Sequence, residues 1–182
     1  MMSPEREIRV SKFLSKHLRH EPERLGLTLE PGGWVGVNAL LEACARHRFP
    51  ISRDELDHVV QNNPKKRFAY DDSESKIRAQ QGHSVEIDLE LQPSDPPPLL
   101  FHGTPERNID VIQRDGLLRM NRHHVHLSPD RETARIVGMR RGRPAIFVID
   151  AQGMCSDGFT FYQSGNGVWL VDAVPPRYLR LE

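Results

Sequence analysis

Cysteine, lysine, long apolar runs and net charge are what this chain has least of. Its 182 residues include two cysteines, Cys44 and Cys155, far apart and in no C-x-x-C pair. That spacing argues against a disulfide scaffold and a cysteine zinc site. No apolar run approaches the ~20 residues that a membrane span needs. The opening stretch MMSPEREIRV is charged throughout and has no apolar core, so it does not read as a secretory leader, and a cytoplasmic protein is expected. The nucleotide-binding strings G-x-G-x-x-G and G-x-x-x-x-G-K-[ST] are both missing, which removes the support for a Rossmann or P-loop site. The formal charge is zero, with 25 basic and 25 acidic residues, where a nucleic-acid binder usually shows a basic excess.

What is present is arginine, unevenly spread. Residues 114–143 hold eight arginines against Asp115, Asp130 and Glu132, with His123, His124 and His126 in the same stretch. Arginine offers a planar fork that grips phosphate oxygens in pairs, where lysine is a point charge. A hydrophobic fraction of 37% and a charged fraction of 27% fit a globular chain with one large or two small domains.

The sharpest boundary is LQPSDPPPLL at 91–100, whose prolines at 93, 96, 97 and 98 stop both helix and sheet. The expected division is 1–92, a linker at 93–98, and 99–182, with an α+β fold. In the first part Ser3 and Pro4 open a helix carrying Val10, Phe13, Leu14, His17 and Leu18 at helical spacing. A turn at Pro31-Gly32-Gly33 leads to a short strand at Trp34-Val35, then a helix over Asn38–Arg46. A third helix follows, with a capping box from Ser52 to Glu55. Strands near Arg67–Tyr70 and Ile77–Gln80 complete a winged-helix order, a class that often binds nucleic acid.

In the second part Leu99–Phe101 runs into a turn, His102-Gly103-Thr104, and a helix over Glu106–Arg114 ends at Gly116. A strand at His124–Leu127 meets a helix capped by Ser128 with Pro129 after it. Ala145–Asp150 is a continuous apolar run, hence a buried strand. Phe159–Tyr162 and Val168–Val171 read as strands around the tight turn at Asn166-Gly167.

Each chemically suggestive cluster also has a structural reading. Arg19 and His20 at a helix C-terminus complement the helix dipole. Lys65 to Arg67 suit a solvated run, and His102 an ordinary turn. His124 and His126 share a strand face but have no acidic or cysteine partner nearby, which weighs against a metal.

Taken in order, the strings SKHLRHEPERLGL (15–27), GGWV (32–35), KKRFAYDD (65–72), KIRAQQGHS (76–84), LFHGT (100–104), VHLSPD (125–130), GMRRGRP (138–144) and NGVWLVDAVPPRYL (166–179) resemble the RNA 2′-phosphotransferases. These are the tRNA-splicing phosphotransferases and their prokaryotic relatives. The resemblance runs from Val10 to Leu179. It implies an N-terminal winged-helix lobe, a C-terminal ADP-ribosyltransferase lobe, and an active site between them. It also implies that an RNA 2′-phosphate attacks the nicotinamide ribose of NAD+. The ribose 2″-hydroxyl then takes the phosphate, releasing repaired RNA and ADP-ribose 1″,2″-cyclic phosphate.

By motif, the family's catalytic Arg, His, Arg and Arg fall on Arg19, His20, Arg78 and Arg140. Arg141 stands where many members have His. The same resemblance puts His102, Gly103, Thr104, His126, Leu127, Ser128, Asn166 and Val168 on the NAD+ side, and Lys16, Lys65, Arg67 and Arg141 on the RNA side. It implies no metal, no membrane and no obligate protein partner. Two rival readings are weaker. A transferase that ADP-ribosylates a protein or a nucleic-acid 5′-phosphate shares the second lobe, but protein modifiers of that fold commonly use a glutamate, and none lies between Ala145 and Leu181. A winged-helix regulator leaves the motifs of 99–182 unexplained.

Overall fold

The computed structural model describes residues 2–182, apart from the side chain of Arg141. The chain divides into two compact units, one ending at Glu90 and the other running from Leu91 to Glu182. Both mix helices with small antiparallel sheets, an α+β construction.

The first unit opens with α1 (Pro4–Arg19), where the Ser3 hydroxyl accepts from the Arg6 N–H and Pro4 takes the first helical position. Val10, Leu14 and Leu18 recur at four-residue spacing and are wholly buried. β1 (Trp34–Gly36) leads into α2 (Val37–Arg46), and α3 (Arg53–Asn62) starts from the reciprocal Ser52–Glu55 capping box. Arg6 grips Glu55 through two side-chain bonds of 2.8 and 2.9 Å, tying the start of α1 to the start of α3. β2 (Phe68–Tyr70) and β3 (Lys76–Ala79) complete a sheet ordered β1-β3-β2. Its inner residues Val35, Phe68 and Ile77 pack with Leu40, Leu56 and Val59 of the helices. The expected element order therefore stands, with strand ends shifted by about one residue.

In the second unit, β4 (Leu99–Pro105) and β11 (Leu179–Leu181) flank β7 (Pro144–Asp150). β7 is covered on both faces. Phe147 and Ile149 point into the main core with Leu100, Leu127, Trp169 and Val171, while Val148 packs with Phe101 and Ala134. Two-sided burial is the reason its sequence reads as an unbroken apolar run. A second sheet is ordered β6 (Val125–Leu127), β9 (Trp169–Val171), β8 (Tyr162–Gln163). β5 (Leu117–Leu118) pairs with β10 (Ala173–Val174). The helices are α4 (Ile109–Asp115), α5 (Arg131–Gly138) and α6 (Ala151–Ser156).

Four local expectations need correction. His102-Gly103-Thr104 is not a turn but the second half of β4, paired through Phe147, Ile146 and Ala145. Glu106–Asn108 forms a 3-10 turn ahead of α4, so the α-helix there is shorter. Only Tyr162 of the 159–162 stretch joins a ladder. Ser128 does not cap α5: Asp130 does, its carboxylate accepting from the Thr133 N–H at 2.7 Å. The Ser128 N–H and carbonyl are both taken by Phe101, at 2.7 and 2.9 Å, in a bridge that fastens the end of β6 to β4. Among the described residues no helix is long and apolar enough to cross a membrane.

Candidate active site

In the first unit, the end of α1 is where the chemistry-bearing groups meet. Ser11, Ser15 and Arg19 follow one another a helical turn apart, and with Lys12, Lys16, His20, Lys65 and Arg67 they line a cavity of about 540 Å³. Five cations and a histidine face it, against one carboxylate, Glu7. Such a surface suits an anion with several oxygens. Lys16 is also 3.1 Å from Glu21, and this bond, assisted by Arg24, holds the Glu21 carboxyl below the usual carboxylate range.

The wall opposite α1 is organised by Asn63, which is almost fully buried. Its side-chain oxygen accepts from the Lys65 N–H at 3.0 Å and from Arg67 Nη1 at 3.1 Å, while its amide donates to the Ser11 hydroxyl at 3.1 Å. The Lys65–Arg67 run is therefore more than a solvated tract. Asn63 gave no sequence signal beyond preceding a proline.

Arg78 lies on β3, opposite Trp34 in the register. Its guanidinium carbon sits 4.4 Å from the Trp34 ring centroid, and Nη1 donates to the Gly32 carbonyl at 3.3 Å. Nε is buried and has no hydrogen-bond partner among the described residues. Burial lowers the affinity of this guanidinium for its proton, and the Glu90 carboxylate works the other way. The side chain nonetheless stays charged at any physiological pH. Gly32, at φ +78°, cannot be replaced cheaply, since a Cβ there would come 2.8 Å from the Trp34 ring nitrogen. Trp34 lies within the GGWV string, which by itself carries no signal of the contact with Arg78.

Beyond β3 the chain turns at Gly82 and returns to α1. Ser84 and Val85 both donate their N–H groups to the Arg19 carbonyl, at 2.9 and 3.3 Å, and the Ser84 hydroxyl is 2.8 Å from His20 Nδ1. Arg19 and His20 are thus brought together with the loop that follows Arg78. Arg78 itself does not line the cavity of Lys16, Lys65 and Arg67.

In the second unit, β4 sends its residues alternately to two faces. His102 and Thr104 line a cavity of about 520 Å³, whose apolar side is formed by Val111, Ile112, Leu117, Leu118 and Met120. Its polar side includes Asn108, Asn121, Arg122, His124 and His126. A mostly apolar pocket of this size with a few polar groups along one side suits a nucleotide-sized ligand. His102 Nδ1–H donates to the His126 carbonyl at 3.1 Å, leaving Nε2 as the acceptor of the neutral ring. Burial pushes the His102 pKa down, and Arg122 adds to this against the His126 bond. Arg122 Nη1 donates to His126 Nδ1 at 3.1 Å, so the neutral His126 ring carries its proton on Nε2. Two histidines on one cavity therefore hold opposite tautomers. The Thr104 hydroxyl is engaged by the Asn108 amide at 3.0 Å.

Gly103 faces the other way, against α5. Gly138, on the same helix, has the Thr104 backbone as its neighbour. The helix continues into a 3-10 turn, Met139–Arg141, which carries Arg140 with its side chain exposed and off the cavity wall. The expected side-chain role of Arg141 lies outside the described residues. Leu127 contributes its side chain to the core, at 1% exposure. Asn166 and Val168 belong to a tight turn around Ser164, whose hydroxyl accepts from the Val168 N–H at 3.1 Å and donates to Asn166 Oδ1 at 2.7 Å. Neither residue lines the His102 cavity. Among the described residues no group of three or more His, Cys, Asp or Glu side chains is placed to hold a metal ion.

Comparison with known proteins agrees with the motif reading. The sequence profile of the RNA 2′-phosphotransferase, Tpt1 / KptA family matches residues 5–173. A probable RNA 2′-phosphotransferase of Trichormus variabilis is 62% identical over 180 residues, covering 99% of each chain. One of Streptomyces coelicolor is 57% identical over 179 residues, covering 98% of this chain and 97% of its own. Another, of Nostoc punctiforme, is 53% identical and covers 98% of this chain and 99% of its own. With a profile match over most of its length and relatives this similar from end to end, the chain belongs to the RNA 2′-phosphotransferase, Tpt1 / KptA family of transferases.

Proposed function

We propose that this enzyme removes an internal 2′-phosphate from RNA in an NAD+-dependent reaction, yielding 2′-hydroxyl RNA, nicotinamide and ADP-ribose 1″,2″-cyclic phosphate. The observation that carries the reading is the cavity at the end of α1, where Lys16, Arg19, His20, Lys65 and Arg67 converge. A phosphate monoester needs several fixed cations, and arginine forks supply them. In this reading the first unit is a winged-helix lobe that receives the RNA, and the second is an ADP-ribosyltransferase-like lobe. NAD+ is the second substrate, and the mostly apolar cavity of His102, Thr104 and His126 is our candidate for part of its site.

In the first step a phosphate oxygen attacks the anomeric carbon, and the bond to the nicotinamide nitrogen breaks. Arg19, Arg78 and Arg140 hold and orient the phosphate. In the second step the ribose 2″-oxygen attacks phosphorus, the bond to the RNA 2′-oxygen breaks, and one proton passes from the attacking hydroxyl to the departing oxygen. His20 moves that proton, and the arginines stabilise the charge gathering on the phosphoryl oxygens. Lys16, Lys65, Arg67 and Arg141 contact the rest of the RNA.

The test is incubation with NAD+ and RNA bearing a 2′-phosphate, without added metal, following nicotinamide and the fate of the phosphate. Nicotinamide should appear only with the 2′-phosphorylated RNA. Intact 2′-phosphate after prolonged incubation overturns the reading. Release with a 5′-phosphorylated RNA alone would favour ADP-ribose capping instead.

A further inference from the structure

His20 ends α1 with its side chain exposed, a setting in which an imidazole ordinarily samples several rotamers. Here the ring is met by Ser84, 2.8 Å from Nδ1. Ser84 is itself anchored, because its N–H donates to the carbonyl of Arg19, the residue just before His20, and Val85 reinforces that contact. One residue thus grips two consecutive ones, Arg19 through backbone and His20 through side chain. The loop can make this return because Gly82 adopts φ +87°, with the Arg19 side chain lying alongside it. The loop also follows directly on β3, so the strand that carries Arg78 leads six residues later to the residue that holds His20.

We infer that Ser84 is a positioning residue for His20: its hydroxyl accepts from Nδ1–H and leaves Nε2 as the atom that exchanges a proton with the substrate. The direction follows from chemistry. An imidazolium ring has two N–H donors and no acceptor, so only a hydroxyl that accepts at Nδ1 keeps its bond in both protonation states. A hydroxyl that donated to Nδ1 would have to turn each time the ring gained a proton. The inference rests on the reading of His20 as the proton-transfer group, and its test does not depend on that reading.

The experiment compares the wild-type chain with Ser84→Ala and Ser84→Thr. Both variants keep the backbone bonds to the Arg19 carbonyl. Nitrogen-15 NMR of the histidine rings, titrated from acid to neutral pH, should show His20 of the wild type with its neutral-state proton on Nδ1. In Ser84→Ala the neutral ring should redistribute between tautomers and its titration should move to lower pH, because the charged ring loses an acceptor. Ser84→Thr should restore both. Single-turnover rates at saturating RNA should fall about threefold to tenfold in Ser84→Ala, the worth of one hydrogen bond, with the half-saturating RNA concentration unchanged and the acid limb of the pH profile displaced like the ring. A His20 tautomer and titration that are the same in wild type and Ser84→Ala overturn the inference. If the wild type shows no activity toward 2′-phosphorylated RNA, the proposed function fails, while the NMR comparison still decides the role of Ser84.

Discussion

A methyl group on Gly103 would lie 1.6 Å from the carbonyl oxygen of Ala134, a separation that no side chain can occupy. The middle residue of His102-Gly103-Thr104 is therefore the point where α5 lies directly on β4. Gly103→Ala should push the helix away and destabilise the second unit by about 1–3 kcal/mol, the usual cost of overpacking. Urea denaturation followed by Trp169 fluorescence, with Trp34 replaced by Phe in both proteins, checks this. Unchanged stability would mean that the two backbones do not approach as described.

In the proposed reaction, the contact of Arg78 with Trp34 bears on how the phosphate is held. Arg78→Lys keeps the charge but loses both the fork and the planar contact, so single-turnover rates should fall nearly as far as in Arg78→Ala. Near-wild-type rates for Arg78→Lys would argue against bidentate binding. Trp34→Leu should have a milder effect, since a partly buried cation–π contact contributes about 1–2 kcal/mol.

Burial holds His102 below the ordinary imidazole pKa of about 6.5. His124 is shifted the same way, burial outweighing Asp172 at 3.8 Å, so the two form no ion pair at neutral pH. The unfolded chain binds these protons more readily than the folded one. Their contribution to stability is thus full above the ordinary imidazole value and is lost as the pH falls from there through the lower value of the folded state. Unfolding free energy measured between pH 7.5 and 5 should decline, and His102→Asn should flatten the decline. An identical slope in that variant would count against a neutral, buried His102.

Arg140 and its neighbour can be told apart by kinetics. Arg140→Ala should lower the single-turnover rate at saturating RNA by about a hundredfold, as the loss of a transition-state contact does. Arg141→Ala should instead raise the RNA concentration required and reduce its salt dependence. An exchange of the two phenotypes would move the fourth catalytic position by one residue.

Much of the first unit was legible because its signals are local. The Ser3 and Ser52 caps, the four-residue recurrence of Val10, Leu14 and Leu18, and the Pro31-Gly32-Gly33 turn depend on neighbours in sequence. The second unit was read less well where long-range pairing decides. His102-Gly103-Thr104 looks like a turn by composition, yet β7 pulls it into a strand. Ser128 followed by proline has the look of a cap, yet its backbone is claimed by Phe101, and Asp130 inherits the role. The candidate site was legible as motifs but not as contacts. Nothing in the order of residues says that Ser84 returns to His20, that Trp34 meets Arg78, or that Asn63 anchors Arg67.

The two-sided cover on β7 gives the second unit its own clock. Residues 146–149 are bonded to β4 on one edge, β11 follows along the other, and side chains shield the strand above and below. Amide protons in such a strand reach solvent only when the whole unit opens, so their exchange rates report its global free energy of opening. The exposed turn of Arg140 lies outside that protected layer and can exchange by local opening alone. Hydrogen exchange at Phe147, Val148 and Ile149 therefore provides a stability scale on which changes elsewhere in this unit can be ranked, even when activity is lost.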